Sequence, residues 1–577
     1  MSVQALCPSF HFKGQIKTKE HNMPLKNSAP LIIIIAILAA VSFFPSIFND
    51  FVEWDDPAYV SENSMIQSIS IENIKKIFSS NFLGHYCPLV ILSYSIEYFF
   101  AGLNPMVFHA TNYLLNIITS ILVFFFIFSI SKNKIISFIT GALFAVNPLH
   151  VESVAWITER KDLLCVIFFL SSLIAYTKYL KNNKIKYYYF CLIFGVLAFL
   201  SKILAISLVP VIFLLDYLYG KNINKKNLTE KIPLLALSII FLGINLMFEH
   251  SSGAITVGTP LNIRKYFFSK VIFFYLSKMF IPLNLSAMYP YANITPAQTA
   301  LIKYYLAGLT AILTIFVYSF KRHKLFFFSG AFFFITILPT LQIIQAGAAF
   351  SADRYTFLPS IGVFLIVSIG YCKLFSKFPK KNILSSSIKL FAAAILCSII
   401  IWHSFLTWQR CAVWKNTETL FLDTHKKTER IAPSAKPYNQ IGGYYAKKGE
   451  FMKAIEYFKK SLEVNPNYTL AKNNLSRAYK DLEKQVALIN PVDITKAKSL
   501  NEEAVREGKN GNIKKALSLL EEAKKTCPSY DETYNNLGYV YYLLGDTSNA
   551  KENFSKALQA NPANEKARSN LKILTEK

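Results

Sequence analysis

The chain is poor in charge. Only 17% of its 577 residues are Asp, Glu, Lys or Arg, against about 25% in ordinary soluble proteins. Hydrophobic residues make up 53% and aromatics 15%. This balance excludes a disordered or collagen-like chain. With apolar runs of roughly 17–25 residues, it predicts a polytopic membrane protein. Cysteine is sparse too: eight residues, at 7, 87, 165, 191, 372, 397, 411 and 527, with no CxxC and no His/Cys pair at zinc spacing. Neither a disulfide framework nor a structural metal site is expected. There is no Walker A loop, GxGxxG, HExxH or GxSxG, which leaves ATP-driven transport, dinucleotide chemistry and zinc proteolysis without support. The apolar runs hold almost no ionisable residue besides Asp216, whereas proton-coupled transporters carry several.

What is present divides near residue 409. Before it lie eleven candidate spans: 31–48, 107–130, 134–152, 163–180, 187–200, 203–219, 232–249, 303–320, 325–345, 357–373 and 386–406. Two semi-apolar stretches, 86–103 and 264–282, are interrupted by polar residues and read as helices lying at the interface. The first run has no small-residue cleavage site and reads as an uncleaved anchor. Counting either interfacial stretch as a span would invert every later loop, so charge tests the choice. The segments 1–30, 131–134, 181–186, 220–231, 321–324 and 373–382 hold 20 Lys/Arg against Glu20 and Glu230. The opposite loops are close to balance. This bias places the N-terminus in the cytoplasm and the C-terminal region outside it. The formal net charge of +27 therefore records topology, and no nucleic-acid partner is expected. The expected organisation is a cytoplasmic segment 1–30 and a membrane domain 31–408 with outer loops at about 49–106 and 250–302. A linker 409–434 and a repeat domain 435–577 follow. A multi-pass protein of the plasma (inner) membrane is the expected setting.

The C-terminal region repeats. In Asp531–Asn564, Tyr534, Leu537, Gly538, Tyr541, Ala550, Phe554, Ala557 and Pro562 occupy positions 4, 7, 8, 11, 20, 24, 27 and 32. Starts at Ala435 and Ala497 give similar residue types at most of these offsets. This is the 34-residue tetratricopeptide pattern of paired antiparallel helices. A degenerate unit spans about 469–496, and 566–577 reads as a capping helix. Such arrays bind peptides in a concave groove or organise a complex. The fold class is thus all-α: about 11 membrane helices followed by an α-solenoid.

Four charged clusters fall on the outer side near the membrane, where desolvation makes ionisable groups costly. The first is Phe51–Tyr59, with adjacent carboxylates at Asp55 and Asp56. Either one accepts a proton from an incoming hydroxyl, or the pair caps the helix that starts at Pro57. The second is His109 with Asn112 one turn on, where a purely structural histidine is the alternative. The third, His150–Asp162, carries His150, Glu152, Arg160 and Lys161. Its cations either clamp a phosphate or close internal ion pairs. The fourth holds Asp353 and Arg354, which either pair with each other or leave Arg354 for an anionic lipid headgroup. Lys202 adds another outer cation.

Several stretches resemble a known family. WDDPAYVSEN (54–63), HYCPLVILSYSIEYFFAGLNPMVFHATNYLLN (85–116), ALFAVNPLHVESVAWITERKDLL (142–164) and SADRYTFLPSIG (351–362), followed by the repeats, are similar to the transmembrane and tetratricopeptide-repeat O-mannosyltransferases and their bacterial relatives. The resemblance runs in order over nearly the whole chain and implies a GT-C glycosyltransferase fold. It implies inverting transfer of mannose or a similar hexose from a polyprenyl-phosphate donor to a hydroxyl of a protein or surface-glycan acceptor. Asp55 would be the base, with Asp56 in support. Arg160, Lys161, Arg354 and Lys202 would hold the lipid phosphate, and His109, Asn112, His150, Glu152 and Asp353 would support them. No cofactor or metal is implied; the lipid-linked sugar is the co-substrate, and membrane lipids and the acceptor are the partners. The chain departs from the family at Tyr86-Cys87-Pro88-Leu89, where an Arg-Pro-Leu is expected, and at Lys202-Ile203, where a Lys-Glu is expected. Competing readings are an oligosaccharide ligase or polymerase, and a non-catalytic repeat scaffold on a membrane anchor.

Overall fold

The computed structural model describes residues 28–222, 224–251, 261–291, 295–341, 349–377, 383–429, 433–488 and 491–575. Most of the expected cytoplasmic segment 1–30, Cys7, and parts of the loops 250–302 and 373–382 lie outside the described residues. The chain forms two compact units, 1–434 and 435–577. The seven described cysteines are all free thiols.

The first unit is helical, with one short antiparallel pairing of Tyr289–Pro290 against Ala349–Ser351. Among the described residues, ten of the eleven expected spans fall on apolar helices. Among the described residues six helices are long and apolar enough to cross a membrane. These contain α1 (Ala29–Phe43), α3 (Pro105–Ser131), α6 (Arg160–Asn182), α9 (Ile232–Ser251), α11 (Ile302–Arg322) and α14 (Ile383–Val413). Four further expected spans are shorter apolar helices: α7 (Ile185–Phe199), α8 (Leu208–Leu218), α12 (Lys324–Ile337) and α13 (Ser360–Lys377).

The expected span 134–152 is corrected: it is broken. α4 (Lys134–Ala145) stops, and the chain restarts at an angle of 54° through Pro148–His150 into α5 (Val151–Ala155). Pro148 has no N–H to continue the helical ladder. Asn147 caps the restart by accepting from the Leu149 N–H at 3.0 Å. The bend carries residues 150–162 across the end of the bundle.

The loops sort into two ends, as alternating spans require. At one end, Lys181 Nζ and Tyr219 OH both donate to the Ser129 carbonyl, at 2.7 and 3.0 Å, and Lys324 lies over the Tyr217 ring. At the other end gather the loop after α1, residues 146–162, Ser201–Lys202, residues 351–356 and the chain after α14. Helix α2 (Pro88–Ala101) starts and finishes at this second end, with the Leu89 N–H on the Leu200 carbonyl and Glu97 on Arg160. Helix α10 (Leu261–Phe280) does likewise, with Phe267 against Phe350 and the Met279 carbonyl accepting from Asn147.

The expected linker 409–434 is also corrected. α14 runs on to Val413, and α15 (Thr417–Thr428) folds back within the first unit. Its apolar side, Leu420 and Phe421, is buried, and Asn416 closes its N-terminus with a capping box to Thr419. A segment with that much buried apolar surface packs; it does not link.

In the second unit the repeat periodicity becomes helix pairs: α16 (Lys436–Lys447) with α17 (Phe451–Val464), α19 (Pro491–Lys509) with α20 (Ile513–Thr526), and α21 (Asp531–Leu543) with α22 (Thr547–Ala560). The degenerate unit supplies one long helix, α18 (Thr469–Leu488), and α23 (Glu565–Thr575) caps the array. Gly538 is required by close approach: a Cβ there would stand 2.7 Å from the Phe554 ring. Gly442 meets Phe458 in the same way, at 2.5 Å.

Candidate active site

The site is built where the loop after α1 meets the bent segment 146–162. The loop is tied to the end of α14 and to α15. Asn49 Nδ2 donates to the Cys411 carbonyl at 3.2 Å, the Asp50 N–H to Lys415 at 2.8 Å, and the Glu53 N–H to Thr417 Oγ1 at 2.9 Å. The Trp54 ring lies 5.0 Å from Trp156 and 5.6 Å from Phe421, and Trp156 stacks on Trp414.

The two neighbouring aspartates have different surroundings. Asp56 is 1% exposed. It accepts from the Val52 N–H at 2.9 Å, the Thr158 N–H at 3.2 Å and Thr158 Oγ1 at 2.5 Å. It makes no cap to the turn beginning at Pro57, so the capping alternative does not describe it. Burial pushes its carboxyl up to about 7, against the pull of those hydrogen bonds. Asp55 is half-exposed beside it.

Thr158 leads into a charged hub. The buried Glu159 carboxylate takes Lys161 Nζ at 3.1 Å, Lys202 Nζ at 3.0 Å and Arg354 Nε at 3.2 Å. Asp162 takes Lys202 at 2.7 Å and the Ser153 hydroxyl at 3.2 Å. Glu152 takes the Arg354 N–H at 3.0 Å and its guanidinium Nη1. The three acids are buried, but the Lys202 and Arg354 side chains keep 17% and 20% of their surface. Carboxylates thus form the floor and cationic heads the accessible edge. Burial works against the Lys202 ammonium, but Asp162 and Glu159 outweigh it and hold it above the ordinary lysine value. Glu152 and Glu159 do the same for Arg354. Asp353 and Arg354 do not pair with each other: Asp353 accepts from Tyr289 OH at 2.8 Å, and burial together with Glu152 raises it to about 7.

Other expected site residues are placed as supports. Arg160, expected at the donor phosphate, is 0% exposed. Nε bonds Asn112 Oδ1 at 2.7 Å, Nη1 bonds Glu97 at 2.7 Å and Ser93 at 3.1 Å, and Nη2 bonds the Phe108 carbonyl at 2.9 Å. Its guanidinium lies 4.5 Å over the Tyr94 ring. It joins α2 and α3 to the start of α6 and presents no open donor face. Asn112 Nδ2 spans the Val154, Trp156 and Ile157 carbonyls, holding the bend. His109 is buried with Nε2 3.4 Å from the Asp50 carbonyl. His150 is buried between Phe144 and Phe357, with Nδ1 on the Phe144 carbonyl and Nε2 on Ser360.

Three site residues were given no role from the sequence. Glu159 and Asp162 read there as two charges among several in their turn; nothing local marks Glu159 as the hub. His85 has 44% of its side chain accessible and Nδ1 3.9 Å from Glu249. Partial desolvation, with the charges of Lys161 and Lys202 adding to it, pushes its imidazole down to about 3. Its only local signal was the HYCP stretch itself. Cys87, at the family departure, is buried with Tyr59 and Tyr94.

Known proteins bear on this arrangement. Residues 101–248 match the dolichyl-phosphate-mannose-protein mannosyltransferase family, and 435–468 and 532–564 match the tetratricopeptide repeat. The chain is 22% identical to human protein O-mannosyl-transferase TMTC3, over 95% of this chain and 66% of that protein. It is 25% identical to human TMTC4, over 74% and 65%, and 22% identical to human TMTC1, over 70% and 52%. It spans about half to two thirds of these relatives' length. Two solved structures are distantly similar. One is the Archaeoglobus fulgidus oligosaccharyltransferase, at 14% identity and TM-score 0.40, over 73% of this chain and 59% of that one. The other is ArnT from Cupriavidus metallidurans bound to undecaprenyl phosphate, at 10% and 0.32, over 73% and 81%. Likeness at those scores is too slight to assign a function. In sequence, the chain is similar to the transmembrane and tetratricopeptide-repeat protein O-mannosyl-transferases, with a stretch that matches the mannosyltransferase family model in its first unit and tetratricopeptide repeats after it.

Proposed function

We propose that this chain is an integral-membrane glycosyltransferase that moves a hexose from a polyprenyl-phosphate donor to a hydroxyl of a protein or surface-glycan acceptor on the non-cytoplasmic side. The observation that carries the reading is the cationic edge of Lys202 and Arg354 over buried Glu152, Glu159 and Asp162, with buried Lys161 paired to Glu159 beneath it. It is joined through Thr158 and Asp56 to half-exposed Asp55. Asp55 takes the acceptor hydroxyl proton as the oxygen attacks the anomeric carbon. The bond from that carbon to the phosphate oxygen breaks, its electron pair stays on the phosphate, and the configuration inverts. In this reading Lys202 and Arg354 meet the charge developing on that phosphate, with Lys161 beside them. The side chains supply the positive charge, so the reading calls for no metal, and the lipid-linked sugar is the only co-substrate. Arg160 is left out of the donor site because its guanidinium is spent on Asn112, Glu97, Ser93 and Phe108.

The test is transfer in native membranes with a panel of polyprenyl-phosphate sugars, read by mass spectrometry of outer proteins and glycans. Asp55→Asn should lower transfer by at least about 100-fold at unchanged expression. Full activity in that variant sinks the assignment of the base. A scaffold would be indifferent to Asp55 and Arg354 alike.

A further inference from the structure

A second group of cations lies at the end of the first unit opposite the charged hub. Helices α3 and α6 both stop in a left-handed residue, Lys132 at φ 56° and Asn183 at φ 49°. Each donates its N–H back into the last turn, to the Phe128 carbonyl at 3.1 Å and the Tyr179 carbonyl at 2.8 Å. The chain therefore turns back at once into α4 and α7, and the lysines flanking the two turns are gathered. Lys181 Nζ and Tyr219 OH share the Ser129 carbonyl, and the Lys181 ammonium lies 5.5 Å over the Tyr219 ring. Lys132 and Lys178 both stand close enough to Lys181 to repel it. Lys178 and Lys186 share one further ring, that of Tyr187, at 5.9 and 5.4 Å.

The end of a helix draws cations to its unpaired carbonyls, and Lys181 on Ser129 meets that need. One ammonium suffices for one carbonyl, so this leaves the other lysines unexplained. Elsewhere the chain neutralises such lysines from within: Lys202 with Glu159 and Asp162, Lys427 with Asp423, and at this same end Lys231 with Asp216. Among the described residues no carboxylate pairs with Lys132, Lys178, Lys181 or Lys186. Glu230, also at this end, takes the Tyr179 hydroxyl at 3.0 Å. All four lysines are exposed. Beyond Lys186, on the same face of α7 at helical spacing, come Tyr189, Phe190 and Ile193, all exposed. Four ammonium groups thus head a strip of open apolar surface, the complement of an amphiphile with a negatively charged head.

We propose that Lys132, Lys178, Lys181 and Lys186 hold the phosphate of an anionic phospholipid of the surrounding bilayer, with its acyl chains along Tyr189, Phe190 and Ile193. The ammonium groups donate to the non-bridging phosphate oxygens, and the Tyr187 and Tyr219 rings fix where three of them lie. A headgroup set there relieves the repulsion among the lysines and ties the ends of α3, α6 and α7 together. A lipid without net charge brings its own cation beside the phosphate and loses most of that gain. A free phosphate ion makes no use of the apolar strip. The site is independent of the sugar-transfer reading, and Lys202 and Arg354 take no part in it.

The experiment uses the full chain in nanodiscs of phosphatidylcholine with a rising share of phosphatidylglycerol. The unfolding temperature should climb and level off as phosphatidylglycerol rises, and amide hydrogen exchange should slow across residues 129–134 and 178–187. Lys132→Gln with Lys178→Gln and Lys181→Gln should raise the half-saturating share of phosphatidylglycerol by at least about tenfold. Lys225→Gln with Lys321→Gln and Arg322→Gln removes as much charge from the same end and should leave that share within about twofold. Equal loss in both variants, or no loss in the first, overturns the proposal. So does slowed exchange confined to other segments, equal stabilisation by inorganic phosphate in phosphatidylcholine alone, or a preference of these segments for polyprenyl phosphate over phosphatidylglycerol. If the first variant does not fold, hydrogen exchange in the unaltered chain still decides.

Discussion

Asp55 and Asp56 are chain neighbours, but only Asp56 is walled in, and its titration has a consequence for stability. Its carboxyl is raised from 3.8 to about 7 by burial. Between those values the folded state keeps a proton that the unfolded chain has released. Its stabilising contribution is therefore complete below about pH 4 and declines as pH rises through about 7. Asp56→Asn, neutral at every pH, should flatten this slope, as read by thermal unfolding in detergent between about pH 4 and pH 7; an unchanged slope would assign it elsewhere. The two arginines separate in the same spirit. Arg354→Lys keeps the charge but loses the forked contact with Glu152 and Glu159. Transfer should fall by about tenfold or more with little change in unfolding temperature. Arg160→Leu leaves Glu97 buried without its cation and should destabilise by about 3–5 kcal/mol, seen first as loss of folded protein. If Arg160→Leu folds normally and loses only donor affinity, the supporting role assigned to Arg160 is wrong.

At the scale of elements, α15 is a positioning device. Phe421 packs on Trp54 and Thr417 receives the Glu53 N–H, so the loop bearing Asp55 is held from a segment more than 350 residues away. Phe421→Ala should lower the transfer rate at saturating donor more than it weakens donor binding. A purely structural loss would lower the amount of folded enzyme and leave the rate per folded molecule intact. The sequence carried half of this: the Asn147-Pro148 pair is a recognised breaker, although the apolar run around it reads as one continuous span. The apolar side of α15 is too short to stand out from a polar linker without its partners. In the repeats, Gly538→Ala places a methyl 2.7 Å from the Phe554 ring and should destabilise by about 1–3 kcal/mol. Pairing it with Phe554→Leu should recover part of the loss.

At the scale of the whole chain, the cationic edge and Asp55 lie at the end opposite the lysine-rich loops. A cysteine at position 58, exposed beside Asp55, should react with an impermeant maleimide in intact cells in a chain stripped of its other thiols. One at exposed position 132 should react only after permeabilisation. The reverse pattern would invert the proposed orientation. Most of the apolar helices and the repeats were legible from residue order alone, because hydropathy and the 34-residue period are properties of contiguous sequence; the break inside 134–152 was not. The partners of buried charges were not. Arg160 and Arg354 look alike as letters beside the membrane, yet one meets Glu97 and Asn112 and is sealed, while the other meets Glu152 and Glu159 with an edge left open. Which carboxylates lie within reach depends on how helices distant in sequence pack, and a short-range Coulomb contact exists only once they have done so.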